Sequence, residues 1–205
     1  MKDTNNNNST PIFQPIFGES WSILPPVMHL HYANHPFSDD VAVAEGTMDV
    51  TFNWLARLLS PLLHLTGALV PYQGRNIPVT VHFRSFPDSS ALMFDREFRF
   101  PNRKPFYFRS RITPIGGAEV IEYMRFGIGW KADYIYSSGK VKLLHRGYVW
   151  RIAGRAIPLP ISWILGKGYA EEEALSNTSF RMHMHITHPI WGKLYDYRGI
   201  FEMRK

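Results

Sequence analysis

From Asn76 onward, apolar and polar side chains alternate with a period of two over most of the chain, the pattern of half-buried β-strands. Val79, Val81 and Phe83 alternate with Thr80, His82 and Arg84. After Pro87-Asp88-Ser89-Ser90, Leu92, Phe94, Phe98 and Phe100 alternate with Met93, Asp95, Glu97 and Arg99. Pro101-Asn102 turns the chain into Phe106, Phe108, Ser110 and Ile112, and Pro114, Gly116 and Gly117 turn it into Val120, Glu122, Met124 and Phe126. Trp130, Tyr134 and Tyr136 follow, then Ser137-Ser138-Gly139. Near the carboxyl end Phe180, Met182, Met184 and Ile186 oppose Arg181, His183, His185 and Thr187, and Pro189 to Gly192 leads into Tyr195, Tyr197, Phe201 and Met203. Strands joined by tight turns without intervening helices predict an antiparallel meander, curled into a barrel or wrapped on a helix.

Two stretches break the pattern. After a strand over 40–52, Asn53, Arg57, Ser60 and His64 recur at helical spacing. They form one narrow polar stripe, while Trp54, Leu55, Leu58, Leu59, Leu62, Leu63 and Leu65 fill the remaining surface. Such a helix is packed into a core, covers a cavity, or meets a membrane or second subunit. Arg57, Pro61 and His64 rule it out as a span. Residues 140–175 read as a long strand, a proline-bracketed apolar cap over Ile157 to Leu165, a Gly-Lys-Gly turn and a strand carrying Glu171, Glu172 and Glu173. A shorter helical signal starts near Ser20, stops at Pro25 and Pro26 and resumes near Val27.

Composition narrows the function classes. Of 205 residues 45% are hydrophobic and 15% aromatic, which is globular, and the length suits one domain over 12–205 behind a disordered tail at 1–11. The chain has no cysteine, so no disulfide, thiolate metal site or cysteine nucleophile exists. With an asparagine run where a secretory leader has its apolar core, this points to a cytoplasmic protein. The net charge of +6 favours anionic partners. No P-loop, dinucleotide fingerprint, GxSxG, HExxH or calcium loop is present, which counts against common hydrolases and nucleotide-using enzymes, and no cofactor is expected.

Candidate chemistry is weaker. His29, His31 and His35, and separately His183 and His185, lack a third ligand at convergent spacing, so packing or solvated histidines are preferred and no metal is assigned. Arg96, Arg99, Arg103, Lys104, Arg109 and Arg111 interleave with Phe98, Phe100, Phe106, Tyr107 and Phe108. This could stack and neutralise single-stranded nucleic acid, although a strand with one wet face gives the same alternation. Glu119, Glu122, His145, Arg146, Arg151, Arg155 and Glu171 to Glu173 form either rim salt bridges or inward charges, and inward carboxylates would need arginine partners.

The segments LPPVMHLHY, KPFYFRSRI, EYMRFGIGWKADY, GYVWRIAGRAIPLPISWILGKGYAEEEA and HPIWGKLYDYRGIF, in this order, resemble an uncharacterised bacterial family catalogued as domain of unknown function 4166. The resemblance spans Ser20 to Arg204 and rests on order and spacing. It implies domains that occur alone or behind a nicotinamide-dependent oxidoreductase-like domain, with no assigned activity. An oxidoreductase partner would here be a separate polypeptide.

The expected fold is therefore mainly β (β-rich α+β): nine or ten antiparallel strands in a barrel or half-barrel of the calycin or lipocalin kind, with one or two short helices capping it. The leading functional expectation is a non-catalytic binding module for a lipid-like or other hydrophobic ligand with an anionic head. Trp54, Leu58, Leu62, Trp150, Ile157 and Trp163 would line or cover the cavity, and Arg109, Arg151 and Arg155 would meet the head. An enzyme pairing His145 with Glu171 or Glu173 as acid and base in the same cavity is the alternative. Third comes an interaction domain docking on itself as a homodimer or on an oxidoreductase. A membrane surface is admitted as a partner, and nucleic acid ranks last.

Overall fold

The computed structural model describes residues 10–67 and 69–204, apart from the side chains of Leu62, Leu63, His64 and Thr66. Seven strands follow one another around a wall: β1 (Val41–Phe52), β2 (Gly74–Phe86), β3 (Ser89–Phe98), β4 (Phe106–Gly116), β5 (Glu119–Tyr123), β6 (Ile128–Ser137) and β7 (Lys140–Ile152). β7 then pairs with β9 (Lys167–Ala174), which leads through β10 (Ser179–His188) to β11 (Gly192–Arg204) and back to β1. The result is a closed antiparallel barrel of ten strands, every one paired on both sides, so it exposes no long free edge.

The expected cap at 157–165 divides in two. β8 (Arg155–Leu159) pairs only with the outer half of β7 and stands off the ring, and a single turn, α4 (Ser162–Leu165), crosses back to β9. The helix expected from Asn53 is α3 (Trp54–Thr66), capped where Asn53 Oδ1 accepts the Ala56 amide at 3.0 Å. Residues 1–9 of the expected tail lie outside the described residues.

Period-two alternation sets the polarity of the wall. Inward positions are mostly apolar, with Arg96, Ser110, Glu122 and Glu172 as exceptions, while outward positions carry ion pairs such as Arg109 with Asp95 and Lys140 with Glu171. That is the inverse of a barrel that spans a bilayer. Among the described residues no helix is long and apolar enough to cross a membrane.

Connections alternate between the two ends, and one end is filled. The chain before β1, with α1 (Gln14–Phe17), a 3-10 turn over Gly18–Ile23 and α2 (Pro26–His31), inserts Phe13, Val27, Met28, His31 and Tyr32, each at most 2% exposed. The Tyr32 ring meets Phe13 at 4.6 Å, and His31 meets Phe83 at 4.5 Å and Phe180 at 4.9 Å. Glu172 anchors this plug: Tyr32 Oη donates to its carboxylate and His31 Nε2 stands 3.4 Å from it. Burial pushes the Glu172 carboxyl up, but the attraction and hydrogen bonds of His31 and Tyr32 prevail and hold it below the usual range. An inward glutamate thus does need a partner, and a histidine and a tyrosine serve in place of the expected arginine.

Candidate functional site

At the other end the interior stays open as a cavity of ≈ 90 Å³. One water needs about 10–15 Å³ of such space, so the cavity takes a group of several atoms. Its walls are Phe108, Trp130, Tyr148, Met184 and Ile186 from the strands; Ala56 and Leu59 of α3 and Leu165 of α4 cover it. Its floor is polar and holds Arg96, Glu122 and Tyr197.

Arg96 sits on the inner face of β3, in register with Phe94 and Phe98, and is 6% exposed. Its Nη2 donates to Glu122 Oε1 at 2.7 Å and to Ser110 Oγ, which in turn donates to Glu122 Oε1 at 2.5 Å. The guanidinium lies over the Phe108 ring, 4.0 Å from its centroid. Burial opposes the guanidinium charge, the Glu122 carboxylate outweighs it, and Arg96 stays charged. Burial pushes the Tyr197 hydroxyl up to about 12 against the pull of Arg96, and burial alone pushes Tyr148 up to about 12. Both phenols therefore stay neutral at physiological pH and can only donate or accept hydrogen bonds. Buried Arg96 Nε has no acceptor among the described residues. Arg96 lines the cavity with its Nη2 committed to Glu122 and Ser110, so a ligand oxygen that reached Nε would complete the donors of the guanidinium.

His145 fastens the cover. Trp130 Nε1–H, which can only donate, hydrogen-bonds to His145 Nδ1 at 2.9 Å, and His145 Nε2 lies 3.0 Å from Ser162 Oγ at the start of α4. The imidazole is neutral, because burial and then nearby Lys167 lower its pKa. With Nδ1 accepting, the ring proton sits on Nε2 and points at Ser162, so His145 cannot serve as that serine's base. Gly166 ends α4 at φ +80°, where a side chain would meet the Thr187 carbonyl oxygen at 2.6 Å, and Tyr148 Oη donates to the Gly166 carbonyl at 3.2 Å.

The anchoring has a pH consequence. The folded pKa values of His145 and of His185, the latter lowered by burial and by His183, lie below the ordinary 6.5. In that window the unfolded chain binds more protons than the folded one, so stability is full above pH 6.5 and declines as pH falls below it. Urea midpoints measured across this range should drop on the acid side, and His145→Asn should flatten the drop; an unchanged profile in the variant would refute the assignment.

The sequence-predicted residues are placed differently from one another. Trp54 and Leu58 lie on the outer face of α3, 65% and 69% exposed, and Trp163 is 72% exposed. Trp150 and Ile157 face each other across the exposed β7–β8 pair, with Trp150 Nε1 donating to the Phe126 carbonyl at 2.9 Å. The Leu62 side chain lies outside the described residues. None of the others lines the cavity; they lie on α3, on the β7–β8 pair and on α4, at the same end of the barrel. Arg109 is on the outer wall with Asp95, because its parity is opposite to that of Phe108 and Ser110, and Arg151 and Arg155 are exposed. No arginine of the three reaches the floor.

The proposed acid–base pair does not form. His145 is in register with inward Ala132, whereas Glu171 is in register with Lys142 and bonds outward to Lys140 at 2.8 Å and to Tyr169 at 2.9 Å. Glu173 meets Lys140 and Arg181 on the same outer face. Odd positions of β9 lie on the outer face, and of its three glutamates only Glu172 faces in, with Gly168 and Ala170. The histidines take separate partners: His29 meets Trp21, His31 Glu172, His35 Asp40 and His183 Asp196. Among the described residues no three ligands converge on a metal position. The arginine–aromatic run also separates, with Arg96 inside, Arg99 on Glu97 and Arg109 on Asp95.

The floor was missed, yet it left a signal. Arg96 and Glu122 share parity with Phe94, Phe98 and Val120, so each is a charge on an apolar face.

Residues 24–201 match the family described as a domain of unknown function (DUF4166). Among curated proteins none matches the sequence. Among solved structures the chain is similar to the dehydratase domain of the polyketide PpsC from Mycobacterium tuberculosis, at 6% identity over 92% of this chain and 84% of that one, with a TM-score of 0.20. It is likewise similar to a dehydratase from type I polyketide synthases, at 8% identity over 89% and 84% of the two chains, with a TM-score of 0.20. Likeness at that level carries no argument about activity.

Proposed function

We propose that this chain, which belongs to the family of domains of unknown function DUF4166, is a binding module that admits an apolar ligand at the open end of its barrel and holds the ligand's polar group against Arg96. The observation that carries this reading is the acceptorless Arg96 Nε, buried at the polar floor of a cavity whose walls are apolar. Glu122 already balances the Arg96 charge, so an added carboxylate would meet a like charge at the floor. The head group that fits is neutral and carries an acceptor oxygen, as in an amide, ester or ketone, in place of the anionic head expected from exposed arginines. Neutral tyrosines, a Glu122 carboxylate paired with Arg96 and a histidine committed to Ser162 leave the site without a free base, which favours binding over catalysis.

Titration calorimetry with decanamide, decanol and decanoic acid tests the reading. The amide should bind most tightly and the acid least, and the paired variant Arg96→Met/Glu122→Leu should lose the preference for the amide. Equal affinity for all three, or no binding by a folded protein, would overturn it.

A further inference from the structure

The end of the barrel that opens into the cavity is also its most apolar and most basic surface. The connections β1–β2, β3–β4, β5–β6, β7–β9 and β10–β11 all lie at this end. Trp54, Leu58, Phe126, Trp163, Ile190 and Trp191 project from them, 48–77% exposed. Trp54 and Trp191 touch edge to face at 5.9 Å, linking α3 to the β10–β11 turn.

Charge is as one-sided. Residues 53–76, 99–105, 124–127, 147–167 and 189–193 contain ten Lys or Arg and no Asp or Glu. The rest of the chain keeps 13 of the 23 basic residues and all 17 acidic ones. Of the ten, Arg99 and Lys193 are ion-paired, and the others have no carboxylate partner among the described residues.

We infer that this face docks on an anionic lipid bilayer, with the tryptophans and aliphatic tips in the headgroup layer, the cations on lipid phosphates and the cavity mouth against the membrane. Tryptophan prefers that interfacial depth, and surface cations add attraction to anionic leaflets. The occupant follows from complementarity. A second copy would bring ten cations against ten, and a nucleic acid would not use Leu58, Ile164 and Ile190, which cannot stack on a base. The inference rests on the surface alone and stands whether or not the cavity binds the proposed ligand.

Flotation of the full chain with vesicles tests it. Vesicles of phosphatidylcholine with phosphatidylglycerol should carry the protein, and phosphatidylcholine alone should carry much less. Arg151→Ala/Arg155→Ala/Lys167→Ala should lower partitioning on the order of a hundredfold, and added salt should weaken the wild type. Trp54→Ala/Trp163→Ala should lower partitioning and leave only the quenching by brominated acyl chains that Trp150 and Trp191 contribute, while Ile23→Ser at the plugged end should change nothing. These residues are exposed, so the variants should melt with the wild type. Arg96→Met/Glu122→Leu should still bind vesicles, which separates failure of the cavity reading from failure of this one. Absence of flotation, equal binding by the charge variant, or a dimer in sedimentation equilibrium that Trp54→Ala/Trp163→Ala dissolves would overturn it.

Discussion

Gly46→Ala should destabilise the protein by more than about 4 kcal/mol, or prevent folding, although it adds only a methyl group. Gly46 lies on an inward position of β1 between Ala44 and Met48, opposite Phe201 of β11. A Cβ there would stand 2.0 Å from the Ile200 carbonyl oxygen and 2.9 Å from its carbon, and both are backbone. No rotamer change relieves that contact; the strand pair that closes the ring must move. Gly199, opposite Met48, is the complementary position, where a Cβ would stand 2.5 Å from the Thr47 carbonyl oxygen. Two missing side chains on facing strands let the wall bend inward at the closure. Thermal melting of Gly46→Ala and Gly199→Ala measures the cost. A loss below about 1 kcal/mol in both would show that the closure tolerates side chains.

Glu122→Leu should cost about 3–5 kcal/mol, because it leaves the Arg96 guanidinium buried without a counter-charge. Arg96→Met should cost a similar amount through the stranded carboxylate. The double variant should recover most of the loss, since an apolar pair of similar volume removes both desolvation penalties together. Urea unfolding of the four proteins closes the cycle. A large coupling energy identifies a buried pair that persists for a reason other than stability, which agrees with a role in holding a ligand. Additive losses below about 1 kcal/mol would mean that water reaches the floor and that the pair is worth no more than a surface bridge.

The sequence contained more of the wall than of the site. Strands, turns, α3 and the absence of crossover helices were legible, because each depends on a period of two or 3.6 and on local Pro, Gly and Asn signals. The inward parity of Arg96 and Glu122 was equally present, but grouping charges by nearness along the chain hid it. Along the chain Arg96 lies among Arg99 and Arg109, which face water, and His145 groups with Glu171 and Glu173, which lie on the opposite side of the wall. For α3 the narrow polar stripe left a packed core, a cavity and a membrane or partner as alternatives for its apolar surface, with Trp54, Leu58 and Leu62 expected at the cavity. In the fold Ala56 and Leu59 face it, and Trp54, Leu58 and Leu65 face solvent.

By itself the sequence determined the class of fold, the position of its turns and the lack of acidic residues in the segments that gather at one end. Those are properties of order and periodicity along the chain. Tertiary structure alone decided that the residues before β1 fill one end of the barrel, that Glu172 meets His31 and Tyr32, and that Arg96, Ser110 and Glu122 meet above them. These contacts join positions up to 141 residues apart, as His31 and Glu172 are. Ring closure fixes which inward faces oppose each other, and no local pattern encodes that.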